Sequence, residues 1–173
     1  ETLEIYVPIA HRLQVGKLRS QLQDESFKYL KPAEFHRLHN FILTNFNTRE
    51  PHLQEATNQI EELLKEQQVS LVETSYRIKS VYSLFNKAKR YHNNLEKIYD
   101  VIALRIIVDK MPDCYAAMGI VHSIYKPIKG RIKDYIARPK ANGYRSLHTT
   151  VMLDNGDFLE IQFRTQEMHE EAE

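Results

Sequence analysis

The sequence predicts an α+β protein in which an all-helical lead-in precedes a mixed β-sheet flanked by helices, and three observations carry that expectation. Apolar residues in the N-terminal part recur at helical spacing. Two β-branched runs, one from Val69 and one at 101–109, then break the helical pattern. Farther on, Asp154-Asn155-Gly156 sits between two alternating segments as a hairpin turn.

From Glu1 to about Leu30, the spacing of Leu3, Ile5, Tyr6, Ile9, Leu13, Leu18, Leu22 and Tyr29 predicts two helices, with Pro8 as kink or boundary. Pro32 opens a third near 32–46. Thr48-Arg49-Glu50-Pro51 then reads as a new capped start, with Thr48 as cap of a long helix near 50–67. VSLVETSY alternates as a strand and runs into RIKSVYSLFNKAKRYH, which has a helical period. VIALRIIVD reads as a buried strand, and Asp113 to Tyr125 as a helix. A polar, basic loop fills about 126–143. YRSLHTTVML and DFLEIQFRT form the hairpin strands, and the last residues turn helical.

The chain has 173 residues, of which 42% are hydrophobic, enough for one catalytic core with an appendage. Its 24 basic and 23 acidic residues nearly cancel, so any polyanion site must come from local clustering. A single cysteine, Cys114, leaves no internal disulfide partner, excludes a cysteine-rich zinc site and favours a reducing, cytoplasmic setting; it reads as a small buried thiol. No apolar run approaches the roughly 20 residues of a membrane-crossing helix, and no leader pattern opens the chain. A first residue other than Met and an end inside a helical pattern lead us to expect a piece of a longer protein.

Arg77, Lys79, Lys87, Lys89 and Arg90 are expected on the helix after the first strand, with no acid between Arg77 and Arg90. Lys79 and Lys87 share one side there, as a phosphate-binding face or a merely solvated one. Between 126 and 145 the cations include Lys126, Lys129, Arg131, Lys133, Arg138, Lys140 and Arg145, against Asp134 alone. Tyr135 and Tyr144 lie among them. Cations beside flat rings suit a nucleotide and, equally, single-stranded nucleic acid.

Phosphoryl transfer also calls for a divalent metal held by few carboxylates, and Asp100 and Glu160 are the candidates. Alternation puts Glu160 with Phe158 and Gln162 on one strand face, toward a cleft or solvent, and Leu159, Ile161 and Phe163 on the other. The eight histidines show no zinc spacing, and no glycine-rich phosphate loop exists.

In order along the chain, Tyr76-Arg77-Ile78-Lys79-Ser80, Ile98-Tyr99-Asp100-Val101-Ile102-Ala103-Leu104-Arg105, Gly130-Arg131-Ile132-Lys133-Asp134-Tyr135, Asn142-Gly143-Tyr144-Arg145-Ser146-Leu147-His148 and Leu159-Glu160-Ile161-Gln162-Phe163-Arg164-Thr165 resemble the synthetase domain of RelA/SpoT proteins. The resemblance covers about 69–173. Residues 1–30 look like the end of the hydrolase domain that precedes it in long members. The resemblance implies a division into 1–46, a hydrolase remnant and connector, and 47–173, an alarmone synthetase domain with a nucleotidyltransferase-like sheet.

The implied activity is Mg²⁺-dependent transfer of pyrophosphate from ATP to the 3′-hydroxyl of GDP or GTP. Arg77, Lys79, Lys87 and Arg105 match ATP-site positions. Asp100 and Glu160 match the Mg²⁺ site, Glu160 also taking the attacking proton. Tyr144 matches the ring that stacks on guanine, and Lys133, Lys140, Asn142, His148 and Gln162 match the acceptor side. The basic Arg131-Ile132-Lys133-Asp134 stretch matches the form that goes with bifunctional members and GDP preference. The hydrolase metal ligands lie upstream of the matched segment, so no hydrolysis is expected of this chain, and a full-length parent would be linked to ribosome and tRNA through other regions. A rival reading keeps the fold as a catalytically silent module that binds a guanine nucleotide or RNA; both carboxylates argue against it. Three departures from the family pattern stand out: Ile78 for proline, Gln14 for glycine, and Arg145 for the glutamine beside Tyr144, the last adding a charge at the acceptor site.

Overall fold

Ile102–Val108 is apolar and rich in β-branched residues apart from Arg105, and the strand it forms, β2, is buried along both faces except at Arg105. Such a strand needs neighbours on both edges. β1 (Leu71–Ile78) pairs with it antiparallel and β6 (Phe158–Thr165) parallel. β5 (Leu147–Met152) joins β6 antiparallel across the Asp154-Asn155-Gly156 turn, where Gly156 has φ +84°. Two short strands, β3 (Lys126–Pro127) and β4 (Lys133–Asp134), share the outer edge of β5, giving the order β1-β2-β6-β5-β3. The computed structural model describes residues 1–13, 15–95 and 98–173. The Gln14 departure lies outside the described residues.

The two sheet faces divide as the alternation predicts. Leu159, Ile161 and Phe163 are fully buried. On the same face Thr149 pairs in register with Ile161 and bonds His122 of α5 (Met111–Ile124) at 2.9 Å, so α5 covers this side. Cys114 of α5 is fully buried there, and burial pushes its thiol up to about 12. The opposite face carries Glu160, Gln162 and Arg164 toward a cleft.

The lead-in is helical as expected. A π-helical turn at Thr2–Tyr6 runs into α1 (Val7–Arg12), with Pro8 in its first turn, and α2 (Gly16–Leu30) follows. The expected break near residues 46–50 is absent: α3 runs from Pro32 to Glu66 without interruption, with Pro51 inside it. Thr48 caps nothing; its hydroxyl donates to the carbonyl of Thr44 at 2.8 Å within the helix. An interior proline costs a helix roughly 3 kcal/mol. Burial on both sides offsets that, through Leu38 and Ile42 before Pro51 and Leu53, Ile60 and Leu64 after it. The division at 46–47 therefore falls within one helix.

α2 is joined to the sheet domain rather than appended to it. Phe27 is 2% exposed and packs its ring against Phe35, Tyr82 and Phe85, with centroids 6.2, 5.6 and 4.6 Å away. Tyr82 and Phe85 belong to α4 (Val81–Arg90), the helix after β1. Truncating a fully buried ring costs about 3–5 kcal/mol. Phe27→Ala is therefore expected to lower the urea-unfolding free energy by that amount in one cooperative transition. A loss below about 1 kcal/mol would mean that α2 is dispensable to the core.

Candidate functional site

The chain leaves β1 at Ile78 and turns through Lys79 and Ser80 into α4. The Lys79 amide donates to the Val101 carbonyl at 2.9 Å, which fastens this link to the start of β2. Ser80 caps α4 by accepting from the Ser83 amide, and the Asp24 carboxylate of α2 accepts from the amides of Val81 and Tyr82 at 3.1 and 2.8 Å. Burial pushes the Asp24 carboxyl up from its ordinary value despite those two donors. Arg77 and Lys79 are therefore not helical, contrary to the expected placement. β1 pairing continues to Ile78 opposite Ile102, and only the Ser80 cap starts the helix.

Lys79 and Lys87 nevertheless converge on one carboxylate. Lys79 Nζ donates to Asp100 Oδ2 at 2.7 Å, and Lys87 Nζ lies 2.6 Å from Oδ1 as a close ion pair that is not aligned as a hydrogen bond. Burial alone would raise the Asp100 carboxyl, but the two ammonium groups outweigh it and hold it at about 2. Burial pulls Lys79 down, against the attraction of Asp100.

The second half of the site is a polar ring on the cleft face of β5 and β6. Gln162 Nε2 donates to Glu160 Oε1 at 2.8 Å, and Arg164 Nη2 to Gln162 Oε1 at 3.4 Å and to Tyr144 Oη at 2.7 Å. Tyr144 Oη is 2.8 Å from His148 Nε2, and His148 Nδ1 is 3.6 Å from Glu160 Oε1. Burial, followed by the charges of Lys140, Arg164 and Lys133, lowers His148 to about 3, so the imidazole is neutral at neutral pH. The contact with Glu160 is then polar rather than an ion pair.

Tyr144 is delivered by a tight turn. The Gly143 amide donates to the Lys140 carbonyl at 2.8 Å, and Gly143 takes φ +78°, a conformation open to glycine and costly for other residues. Asn142 Oδ1 accepts from the Tyr144 amide at 3.4 Å. Lys140 Nζ sits 4.6 Å from the ring centroids of both Tyr135 and Tyr144. Burial and the nearby charges of Lys133 and Arg77 lower the Lys140 ammonium. Asp134, the acid of the basic loop, accepts from the Ile136 and Ala137 amides and from the Tyr115 hydroxyl, so its charge serves the turn.

The sequence-selected residues come together. Those matched to nucleotide and metal positions, except Lys87, line one cleft of about 1600 Å³; Lys87 and Arg131 line a small adjoining cavity with Asp100, Lys133, His148 and Glu160, and Lys89, Arg90, Lys126, Lys129 and Arg138 line neither. Arg105 reaches the cleft from β2 but is paired with Glu173 Oε1 at 3.0 Å. Arg145 is tied to Glu167 and Glu171 of α6 (Gln166–Ala172) at 3.1 and 2.9 Å, so its added charge is neutralised there. Arg164 and Asp24 escaped the sequence reading. The alternation that put Glu160 and Gln162 on one face reaches Arg164 two residues later; nothing local marks Asp24, which acts 57 residues away.

Among the described residues no group of three or more ligating side chains could hold a metal, and no helix is long and apolar enough to cross a membrane. Two carboxylates in a cleft lined by cations suit a hard ion that keeps most of its waters; they do not suit a closed protein cage.

A model of the region found in RelA / SpoT proteins matches residues 76–173. The chain is 43% identical to a protein of Aquifex aeolicus named guanosine-3′,5′-bis(diphosphate) 3′-pyrophosphohydrolase and 42% identical to the GTP pyrophosphokinase of Myxococcus xanthus. Both alignments cover 100% of this chain but 25% and 23% of those proteins, so the chain spans about a quarter of their length. Small alarmone synthetase 2 from Bacillus subtilis superposes with a TM-score of 0.60 at 30% identity, over 76% of this chain and 73% of that one.

The folded protein holds Asp100 at about 2, below its ordinary 3.8, so the ionised form stabilises the fold above about pH 4 and the gain fades as pH falls through about 2. Asp100→Asn, which leaves two lysines facing each other, is expected to cost on the order of 2 kcal/mol at pH 7. Urea unfolding across pH should show that gap closing toward about pH 2. A gap of equal size at both ends would contradict the clamp.

Proposed function

The chain belongs to the RelA/SpoT family, and on that premise we propose that its 47–173 part makes the alarmone (p)ppGpp by moving pyrophosphate from ATP to the 3′-hydroxyl of GDP or GTP. AMP is the leaving product, and residues 1–46 act as hydrolase-side remnant and connector. The observation that carries this reading is the convergence on one cleft of the Lys79–Asp100–Lys87 clamp, Glu160 and the Lys140–Tyr144 cation–ring pair. The Myxococcus and Bacillus relatives, a GTP pyrophosphokinase and a small alarmone synthetase, support it.

The residues divide by substrate. Arg77, Lys79, Lys87 and Arg105 grip ATP, the lysines exchanging Asp100 for phosphate oxygens as ATP enters. Tyr144 stacks on the guanine once the Lys140 ammonium moves off the ring, and Lys133, Lys140, Asn142, His148 and Gln162 hold the rest of the acceptor. Asp100 and Glu160 would hold Mg²⁺, which would supply charge neutralisation at the phosphates. The 3′-oxygen forms a bond to the β-phosphorus as the bond from that phosphorus to the α–β bridging oxygen breaks. The bridging oxygen leaves with AMP, and the 3′-hydroxyl proton passes to Glu160. A neutral His148 beside Glu160 leaves that carboxylate free to accept it. Alignment of the two nucleotides supplies much of the rate.

Pyrophosphate transfer from labelled ATP to GDP, with Mg²⁺, is expected for the wild-type chain. Asp100→Asn and Glu160→Gln should each reduce it by at least about a hundredfold. Transfer retained in both variants would overturn the assignment. The basic Arg131-Ile132-Lys133-Asp134 stretch, its acid already engaged by the turn, supports GDP over GTP. Competition between the two acceptors tests this, and a much higher kcat/KM for GTP would reverse it.

A further inference from the structure

Arg164 has more charge than folding can use. It lies on the cleft face of β6 beyond Glu160 and Gln162 and is 3% exposed. Its Nε and Nη1 are buried without a hydrogen-bond partner, and the nearest carboxylate oxygen, Glu173 Oε1, stands 3.7 Å from Nη1. A buried guanidinium with unpaired donors is a net cost, and an apolar side chain of similar length commonly does as well or better in such a place. The one short bond it makes is to the Tyr144 hydroxyl, at 2.7 Å, and its guanidinium carbon is 4.9 Å from the Tyr144 ring centroid.

Tyr144 needs such a partner. Its backbone belongs to the Lys140–Tyr144 turn, and its ring touches Tyr135 and His148 only edge-on, with centroids 6.0 and 5.9 Å away. The hydroxyl is fixed from two sides: it accepts from Arg164 and lies 2.8 Å from His148 Nε2, to which it can donate a hydrogen bond. Without Arg164 the hydroxyl keeps one anchor, and the ring is held only by its edge contacts and by the Lys140 ammonium 4.6 Å from its centroid.

We propose that Arg164 is a positioning residue that holds the Tyr144 ring in the plane where it stacks on the acceptor base. This rests on the reading of Tyr144 as the guanine platform. A residue of this kind should govern acceptor binding and contribute little to stability, the reverse of a structural residue.

Arg164→Met, Arg164→Lys and Tyr144→Phe are compared in the 173-residue chain. Arg164→Met is expected to keep a thermal midpoint equal to or above wild type. Its KM for GDP should rise about tenfold or more, as for loss of one charge-assisted hydrogen bond, while KM for ATP moves less than about twofold. Arg164→Lys should recover part of the GDP affinity, and adding Tyr144→Phe to Arg164→Met should cost little more than the larger single loss. A folded Arg164→Met with unchanged GDP affinity would overturn the proposal. So would a lowered midpoint with both substrates weakened alike. Absence of any transfer in the wild type would instead overturn the activity reading. The positioning role is then read by NMR from the Tyr144 hydroxyl proton, expected to exchange slowly in wild type and fast in Arg164→Met; equal exchange in the two would overturn it.

Discussion

One carboxylate between two ammonium groups organises this site. Asp100 stands at the entrance to β2, Lys79 on the link out of β1 and Lys87 on α4, so their contact fastens three elements at a single point. Two lysines on one carboxylate leave a net positive charge at this point, and under the proposed reaction the same lysines turn to the polyphosphate and leave the carboxylate to a cation. The Asp24 carboxylate, reaching α4 from α2, holds the N-terminal end of the helix whose last turn carries Lys87. The lead-in helices thereby bear on the site through two backbone hydrogen bonds and the Phe27 ring cluster.

The sheet supplies the other half by parity. Because side chains alternate, β6 places Leu159, Ile161 and Phe163 beneath α5 and leaves Glu160, Gln162 and Arg164 on the open face. Parallel pairing with β2 sets Arg105 opposite Gln162, and antiparallel pairing with β5 sets His148 opposite the same residue. Residues far apart in sequence thus meet because two ladders share one strand.

The sequence made much of this legible where periodicity is strict. The alternation of β6 was enough to turn Glu160 away from the core, toward a cleft or solvent, and the apolar, β-branched run of β2 was enough to bury that strand. Punctuation was less dependable. Thr48 and Pro51 carry the signature of a helix start, yet the same residues sit inside α3, because burial of apolar residues on both sides outweighs one missing hydrogen bond. Arg77 and Lys79 were placed one element late, since a strand running into a helix has no boundary mark until Ser80 caps it. Arg164 was within reach of the parity argument, but its burial, with Nε and Nη1 lacking hydrogen-bond partners, is a tertiary fact. Asp24 had no local mark at all, because what gives it meaning is a helix end far along the chain.

Asp100, just before β2, and Glu160 of β6 line the same cleft, and the proposed reaction requires them to act as one cation site that opens when the lysines turn to phosphate. Electron paramagnetic resonance of Mn²⁺ titrated into the protein with a non-hydrolysable ATP analogue measures this directly. Wild type should take up the ion with the nucleotide, and Asp100→Asn and Glu160→Gln should each weaken uptake by about tenfold or more. Unchanged Mn²⁺ affinity in both variants would contradict the account.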